Sequence, residues 1–441
     1  MGPLTIVSGE ASGVARALSN TGDGARQQPD PECFDPKKLE ATSLAGPIIE
    51  YLLSHPRRVM NVLRAITPIL TIPLFRWSIV LRYDEVREVL ESDRAFPVGW
   101  GAKMIEVTGG EDHGGKNFVL GMPRCKAYRL SYAQLAKAFP RCDVQKRVAG
   151  PAVELTRKIL EELAGSKKHE FDAVQDLITA VPTHLCESYY GIVIPDKVLF
   201  ANWTLATSAY VFGPSTPEPR AQQARAAAAC LRKAIRDSIT LAKSGNGIGI
   251  VLPRMLRMGL ADDVIHAQLF GMVLGFIPTN VLAGGNILET LLRRPDFLAT
   301  TRAAALAGDD DLLWRCLREA LRFRHINPAP WRSCPKGYTF STGCRIPAGN
   351  KVLAIIQSAM FDPLRIERSD VFDPERRDED YMVFGVGQHW CLGAFIAKSL
   401  LTQTFKPLLK LEHLRAVRNP GVRTKRFNDL FPLHLTVGFG K

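Results

Sequence analysis

No CxxC pair occurs among the nine cysteines, whose irregular spacing matches neither a disulfide framework nor a zinc-binding pattern. This excludes a stapled extracellular scaffold and fits a reducing cytoplasm. No internal repeat or low-complexity run is visible, which excludes solenoids and propeller arrays. Neither a signal-peptide core nor a membrane span is expected in the N-terminal stretch. Met1 to about Asp35 is polar and rich in Gly, Ala and Gln, and residues 1–35 are expected to be disordered. The more apolar stretch from Val59 to Leu81 is broken by Arg64, Arg76, Pro68 and Pro73, and reads as strand and turn.

What is present is ordinary globular usage, 46% hydrophobic and 23% charged residues, which permits a large core and argues against extended disorder. Lys plus Arg outnumber Asp plus Glu by 57 to 44, a formal charge of +13. The positives are spread along the chain, so no nucleic-acid partner is implied. A dispersed positive field suits an acidic protein partner or a solvated surface without one.

The segment YDEVREVLES places Val86, Val89 and Leu90 on one face of a short amphipathic helix. Residues 99–117 carry six glycines and read as a mobile loop with Trp100 and Met104 as apolar points. From about Val144 to Leu306 nearly every segment has helical spacing, and DLLWRCLREALRFR adds another helix ending near His325. Beyond it come short strands rich in Pro and Gly. The fold class is therefore mainly α with a smaller β region, and residues 36–441 are expected to form one domain.

Chemistry concentrates in FGVGQHWCLGAFIAKSLL, where Phe384, Gly385, Gly387, Cys391 and Gly393 precede an apolar helix. Glycines let backbone approach a flat cofactor, and a thiol at a helix N-terminus gains from the dipole and free N–H groups. Such a sulfur is expected to be a thiolate, suited to be an axial ligand of haem iron. Taken alone, the run also fits a buried structural cysteine in a glycine-rich turn.

This run resembles the Cys-ligand loop of the cytochrome P-450 family, FxxGxxxCxG, with Ala397 at the small-residue position after it. Glu319 and Arg322 in REALRF match the family's ExxR pair, a spacing that by itself usually marks a solvated surface contact. Phe372, Pro374 and Arg376 match its FxPxR stretch, and RIPAG at 345–349 and FDP at 361–363 follow the family's order. The resemblance covers roughly Pro68 to Phe439. It implies the cytochrome P-450 fold, a soluble bacterial-type enzyme, and haem b (iron protoporphyrin IX) between the Cys391 loop and one long central helix. It further implies Cys391 as the metal ligand and a structural triad of Glu319, Arg322 and Arg376. Phe384, Gly385 and Gly393 would cradle the cofactor, with His389, Arg332 and Tyr128 at the positions of propionate contacts.

The central helix departs from the family. At the segment that normally relays protons during oxygen activation stand Gly275, Phe276, Ile277, Pro278, Thr279 and Asn280. Thr279 keeps the alcohol, Pro278 replaces the acid, and Phe276 fills the place of a small residue. A proline cannot donate to the carbonyl four residues earlier, so Leu274 C=O should be freed and the helix kinked.

Two reaction classes follow, with Pro278, Thr279 and Asn280 as the candidate catalytic positions. In one, dioxygen is activated with electrons from a partner such as an acidic ferredoxin, and an apolar small molecule of secondary metabolism is oxidised. In the other, a substrate carrying an O–O or N–O bond is rearranged, cyclised or made to transfer a group without a reductase. The segment lacks the Arg that holds a fatty carboxylate in peroxygenase branches, and a non-enzymatic haem binder or sensor is a third class. The expected pocket is lined by Phe96, Trp100, Met104, Phe118, Phe276 and Ile277.

Overall fold

The structure is a computed structural model that describes residues 34, 56–109, 118–165, 169–214, 216–417, 425–427 and 431–440. The expected disordered segment 1–35, apart from Phe34, lies outside these residues, as do Gly110, Gly114 and Gly115 of the glycine-rich stretch. In chain order the elements that position the site are α1 (Pro56–Ile66), β1 (Ile69–Ile72), β2 (Trp77–Val80), α2 (Tyr83–Glu91) and α3 (Gly101–Thr108). Next come α4 (Lys126–Ala138), α5 (Gly150–Gly165), α6 (Lys197–Phe212), α7 (Glu218–Lys243), α8 (Asp262–Leu292) and α9 (Asp310–Phe323). Last are β3 (Trp331–Cys334), β4 (Asn350–Ala354) and α10 (Ala394–Lys410).

The four-stranded sheet has the order β1-β2-β4-β3, with β2 and β4 parallel and the outer pairs antiparallel. Three smaller sheets of two or three strands accompany it among the described residues, and helices make up most of the rest of the body. α8 runs through it, and its 31 residues are apolar on nearly every side because protein surrounds them. Among the described residues it is the one helix long and apolar enough to cross a membrane, but most of that length is buried in the core.

Two expectations need correction. Of the stretch from Val59 to Leu81, where strand and turn were expected, residues 59–66 belong to α1, and strands begin only at Ile69. Arg64, which seemed to interrupt an apolar run, is buried and donates to the carbonyls of Ser358 and Phe361 at 2.6 and 2.9 Å. The described half of the glycine-rich stretch is also helical. Gly101 opens α3, and Gly109, at φ 105°, closes it in the left-handed region. These glycines punctuate a short helix whose Met104 and Val107 are buried.

α9 carries the fasteners of the C-terminal half. Its N-terminus is capped by the Asp309 carboxylate, which accepts from Leu312 N–H at 2.9 Å. Glu319 and Arg322 are wholly buried and paired by two hydrogen bonds, Nε to Oε2 at 2.9 Å and Nη2 to Oε1 at 2.7 Å. A solvated surface contact is thereby excluded. Arg322 also donates to the carbonyls of Met360, Ser369 and Val371, and Glu319 accepts from Asp373 N–H and Tyr381 O–H. Arg376 stands 3.7 Å from Glu319 and donates to the carbonyls of Glu367, Arg368 and Val371. The largely irregular chain from 360 to 381 is thus held by charged side chains that satisfy its backbone.

Replacing Glu319 by Gln strands two buried guanidinium cations, a loss of about 3–5 kcal/mol. A urea titration should show a large fall in the unfolding midpoint, and an unchanged midpoint would contradict the structural role given to this pair.

Candidate functional site

Cys391 is carried in a tight loop just before α10. Its N–H donates to Phe384 C=O at 2.9 Å, and the Phe384 ring stacks on Trp314 of α9 with centroids 5.9 Å apart. Gly387 has φ 72°, and a Cβ there would come within 2.7 Å of Leu90 C=O, so α2 closes against this loop only at a glycine. Burial pushes the Cys391 thiol up to about 11, against the opposing effect of the Gly393 N–H. In the cofactor-free site, burial thus works against the thiolate that the helix N-terminus favours, and a cation at the sulfur would favour it.

Between this loop and the middle of α8 lies a cavity of about 280 Å³. Cys391, Phe384, Gly385 and Gly393 stand in its wall on one side, and Phe276, Thr279 and Asn280 on the other. Trp100 and Phe118 also line it, whereas Phe96, Met104 and Ile277 do not. Phe96 instead packs edge-on against Tyr338 and stacks on Phe340, at 4.8 and 6.0 Å between centroids. Met104 is buried against Gly121. Ile277 is fully buried off the cavity face of α8, because helical periodicity puts residues 272, 276, 279, 280 and 283 on that face and turns 277 away.

α8 runs unbroken through Pro278. The polar side chains that follow the proline bond to carbonyls of the preceding turn. Thr279 O–H donates to Gly275 C=O at 2.5 Å, and Asn280 Nδ2 donates to Phe276 C=O at 2.7 Å. Asn280 Oδ1 is buried without a hydrogen-bond partner among the described residues. The Phe276 ring stacks on Tyr190, 5.1 Å away and 28° from parallel.

One end of the cavity is polar. Arg332, on β3, is buried with its guanidinium 5.0 Å from the Trp100 ring, and its Nε has no hydrogen-bond partner among the described residues. Burial pulls its pKa down to about 10, with Asp93 acting in the opposite direction. Burial, reinforced by Arg332, pulls His389 down to about 4, and its Nδ1 is likewise without a partner. Tyr128 does not reach the cavity. Its hydroxyl donates to Gln388 C=O at 2.7 Å and its ring meets His389 edge-on at 6.4 Å, so it props the loop. The sequence reading missed His325, a fully buried cavity residue that burial lowers to about 4, whose Nδ1 accepts from Asn327 N–H at 3.0 Å. Its one signal was its place between α9 and the PAPWR stretch. Tyr190 and Phe212 also line the cavity and carried no signal.

A thiol on one wall, and an arginine and an imidazole with unmatched nitrogens at one end of an apolar cavity, fit a flat apolar group bearing a metal and carboxylates. Haem b has that chemistry, so fold and site together define a haem-thiolate enzyme. The sequence model of the family described as Cytochrome P-450 matches residues 311–420. The chain is 27% identical over 329 residues to cytochrome P-450 107B1 of Saccharopolyspora erythraea, spanning 73% of this chain and 78% of that protein. To cytochrome P-450 monooxygenase PikC of Streptomyces venezuelae it is 28% identical over 332 residues, 73% of this chain and 74% of that one. Its fold matches P450BioI, solved with an acyl carrier protein ligated to hexadec-9Z-enoic acid, at TM-score 0.74 and 20% identity, over 88% of this chain and 100% of that one. It also matches CYP109E1 from Bacillus megaterium, solved with testosterone, at TM-score 0.73 and 21% identity, over 89% of this chain and 100% of the other. The family model and these relatives support a cytochrome P-450-type oxidoreductase whose cofactor is haem b.

In haem-free protein, alkylation of Cys391 should be negligible near neutral pH and climb as pH approaches about 11, while the exposed Cys125 and Cys142 serve as internal references. Mass spectrometry of the labelled peptides reads this, and neutral-pH labelling of Cys391 as fast as Cys125 would contradict it.

Proposed function

We propose that Cys391 ligates the haem iron and that the enzyme oxidises or tailors an apolar small molecule of secondary metabolism, using an oxygen-activation segment that lacks its acid. The observation that carries this reading is the Cys391 thiol in the wall of a largely apolar cavity. That wall contains no Asp or Glu among the described residues, in keeping with Pro278 standing where the resemblance expects the acid. Haem bound there would supply a redox-active iron made electron-rich by the thiolate and suited to O–O bond cleavage. The chain's own residues supply the rest. Arg332 and His389 would hold the propionates with charge-assisted or neutral hydrogen bonds, and Phe384 would shield the sulfur from water. Trp100, Phe118 and Phe276 exclude water from the substrate side. Asn280, anchored through Nδ2, offers Oδ1 as an acceptor that fixes a water or a polar group of the substrate.

The relatives support the monooxygenase reading, since PikC is named a monooxygenase. The absence of a carboxylate in the cavity favours a second one, redox-neutral cleavage of an O–O or N–O bond brought by the substrate. For the first reading we propose an acidic ferredoxin as electron donor in the cytoplasm. It would dock where Trp390 is exposed beside Cys391 and Arg141 lies 3.6 Å over the Phe395 ring. We also take residues 36–441 as one domain, supported by the parallel pairing of β2 with β4 and by Glu170–Asp172 pairing with Thr436–Gly438.

Purified holoenzyme offered candidate substrates should turn over only with an electron donor, and Pro278→Asp should raise the oxygen consumption that is coupled to product. Turnover without donor or peroxide would overturn the first reading in favour of the second.

A further inference from the structure

A polar network outside the cavity ties its roof to the rest of the body. α3 lies over the cavity, with Trp100 at its N-terminal end in the wall, and Trp100 meets Phe212, the last residue of α6, edge-on at 5.6 Å. The same two residues are the points where α3 and α6 contribute to the wall. Above this ring contact, α3 presents two charges at spacing three, on one face. Lys103 Nζ donates to Tyr210 C=O at 3.0 Å and Gly213 C=O at 2.8 Å, a cation seated on the carbonyl end of α6. Glu106 receives Tyr210 O–H at Oε2 and Arg225 Nε–H at Oε1, each at 2.6 Å. Arg225, on α7, is shared with Glu218 at 2.8 Å, and Arg232, a further two turns along α7, donates to Val107 C=O at 2.7 Å. One short helix is thus fastened to both arms of the α6–α7 hairpin through five hydrogen bonds.

α3 has eight residues, too few to be stable in isolation, so its place depends on the burial of Met104 and Val107 together with this polar network. Its position also reaches the cofactor end of the cavity, because the Trp100 ring lies against the Arg332 guanidinium at 5.0 Å. A shift of α3 would therefore change both the headroom above the cavity and the packing on Arg332. Glu106 is the node, since it is the acceptor that binds α6 and α7 at once.

We infer that Glu106 is a positioning residue that sets the height of the cavity's roof and thereby the size class of molecule the enzyme accepts. It acts through Trp100 and Phe212 and touches neither cofactor nor substrate. The carboxylate and Arg225 are each about two-fifths exposed. The network is accordingly weak enough to open transiently and sensitive to salt. Molecules small enough for the roof to stay seated bind without disturbing it. Bulkier ones bind only when the Glu106 contacts break, and lose affinity by that amount.

The inference rests on the haem-thiolate reading, and the test separates the two. Holoenzyme is titrated with imidazole and with clotrimazole, a small and a bulky azole, following the Soret shift that nitrogen ligation produces. In Glu106→Gln and in Tyr210→Phe, the ratio of the clotrimazole Kd to the imidazole Kd should fall about fivefold relative to the unsubstituted enzyme, with imidazole itself little changed. The clotrimazole association rate should rise with salt in the unsubstituted enzyme and lose that dependence in Glu106→Gln. A ratio within about twofold of the unsubstituted enzyme in both variants overturns the inference. Absence of any Soret response to imidazole would instead overturn the haem reading beneath it.

Discussion

The pair of buried hydrogen bonds between Glu319 and Arg322 is the constraint on which the site depends. From Met360 to Gly393 the chain has almost no regular structure, so neither a helix nor a sheet satisfies its backbone. The Glu319, Arg322 and Arg376 side chains take that role by binding the carbonyls of Met360, Glu367, Arg368, Ser369 and Val371 and the N–H of Asp373. Tyr381, tied to Glu319, hands the restraint on to Met382–Cys391, where Phe384 stacks on α9 and receives the Cys391 N–H. A rigid helix thereby fixes an irregular loop through charge, and the sulfur inherits its position.

Around that sulfur the chain holds groups whose charged forms the bare cavity disfavours. Burial raises the Cys391 thiol and lowers both Arg332 and His389. Loss of water is the largest cause of all three, with Arg332 adding to the shift of His389, and all three would be opposed by one group that brings positive charge to the sulfur and negative charge to the cation and imidazole. Haem b carries both. Binding energy at such a site is coupled to the ionisation of its own ligands, so the site is a structural commitment as well as a catalytic one.

The loop and the triad were legible because their residues lie close along the chain and their chemistry is local. A thiol among glycines before an apolar helix, and an acid three residues from an arginine on one helix, both resemble known family segments. Counting along α8 placed Thr279 and Asn280 on the cavity wall, and periodicity should have turned Ile277 away from it. What stayed hidden depends on long-range packing. Arg64 looked like an interruption until Ser358 and Phe361, almost three hundred residues away, were seen to accept its hydrogen bonds. Gly101 and Gly109 looked like a loop because a helix bounded by two glycines and a loop containing them share a composition. Tyr128 matched a propionate position by alignment, yet its hydroxyl is taken by Gln388.

The central claim is that the sulfur of Cys391 is the iron's axial ligand. The most direct measurement is the optical spectrum of the reduced, carbon-monoxide-bound holoenzyme. A Soret band displaced strongly to the red, as thiolate ligation requires, is the predicted result, with that band lost in Cys391→Ala. A band of the nitrogen-ligated type in the unsubstituted enzyme, or a thiolate band that survives Cys391→Ala, would contradict the account.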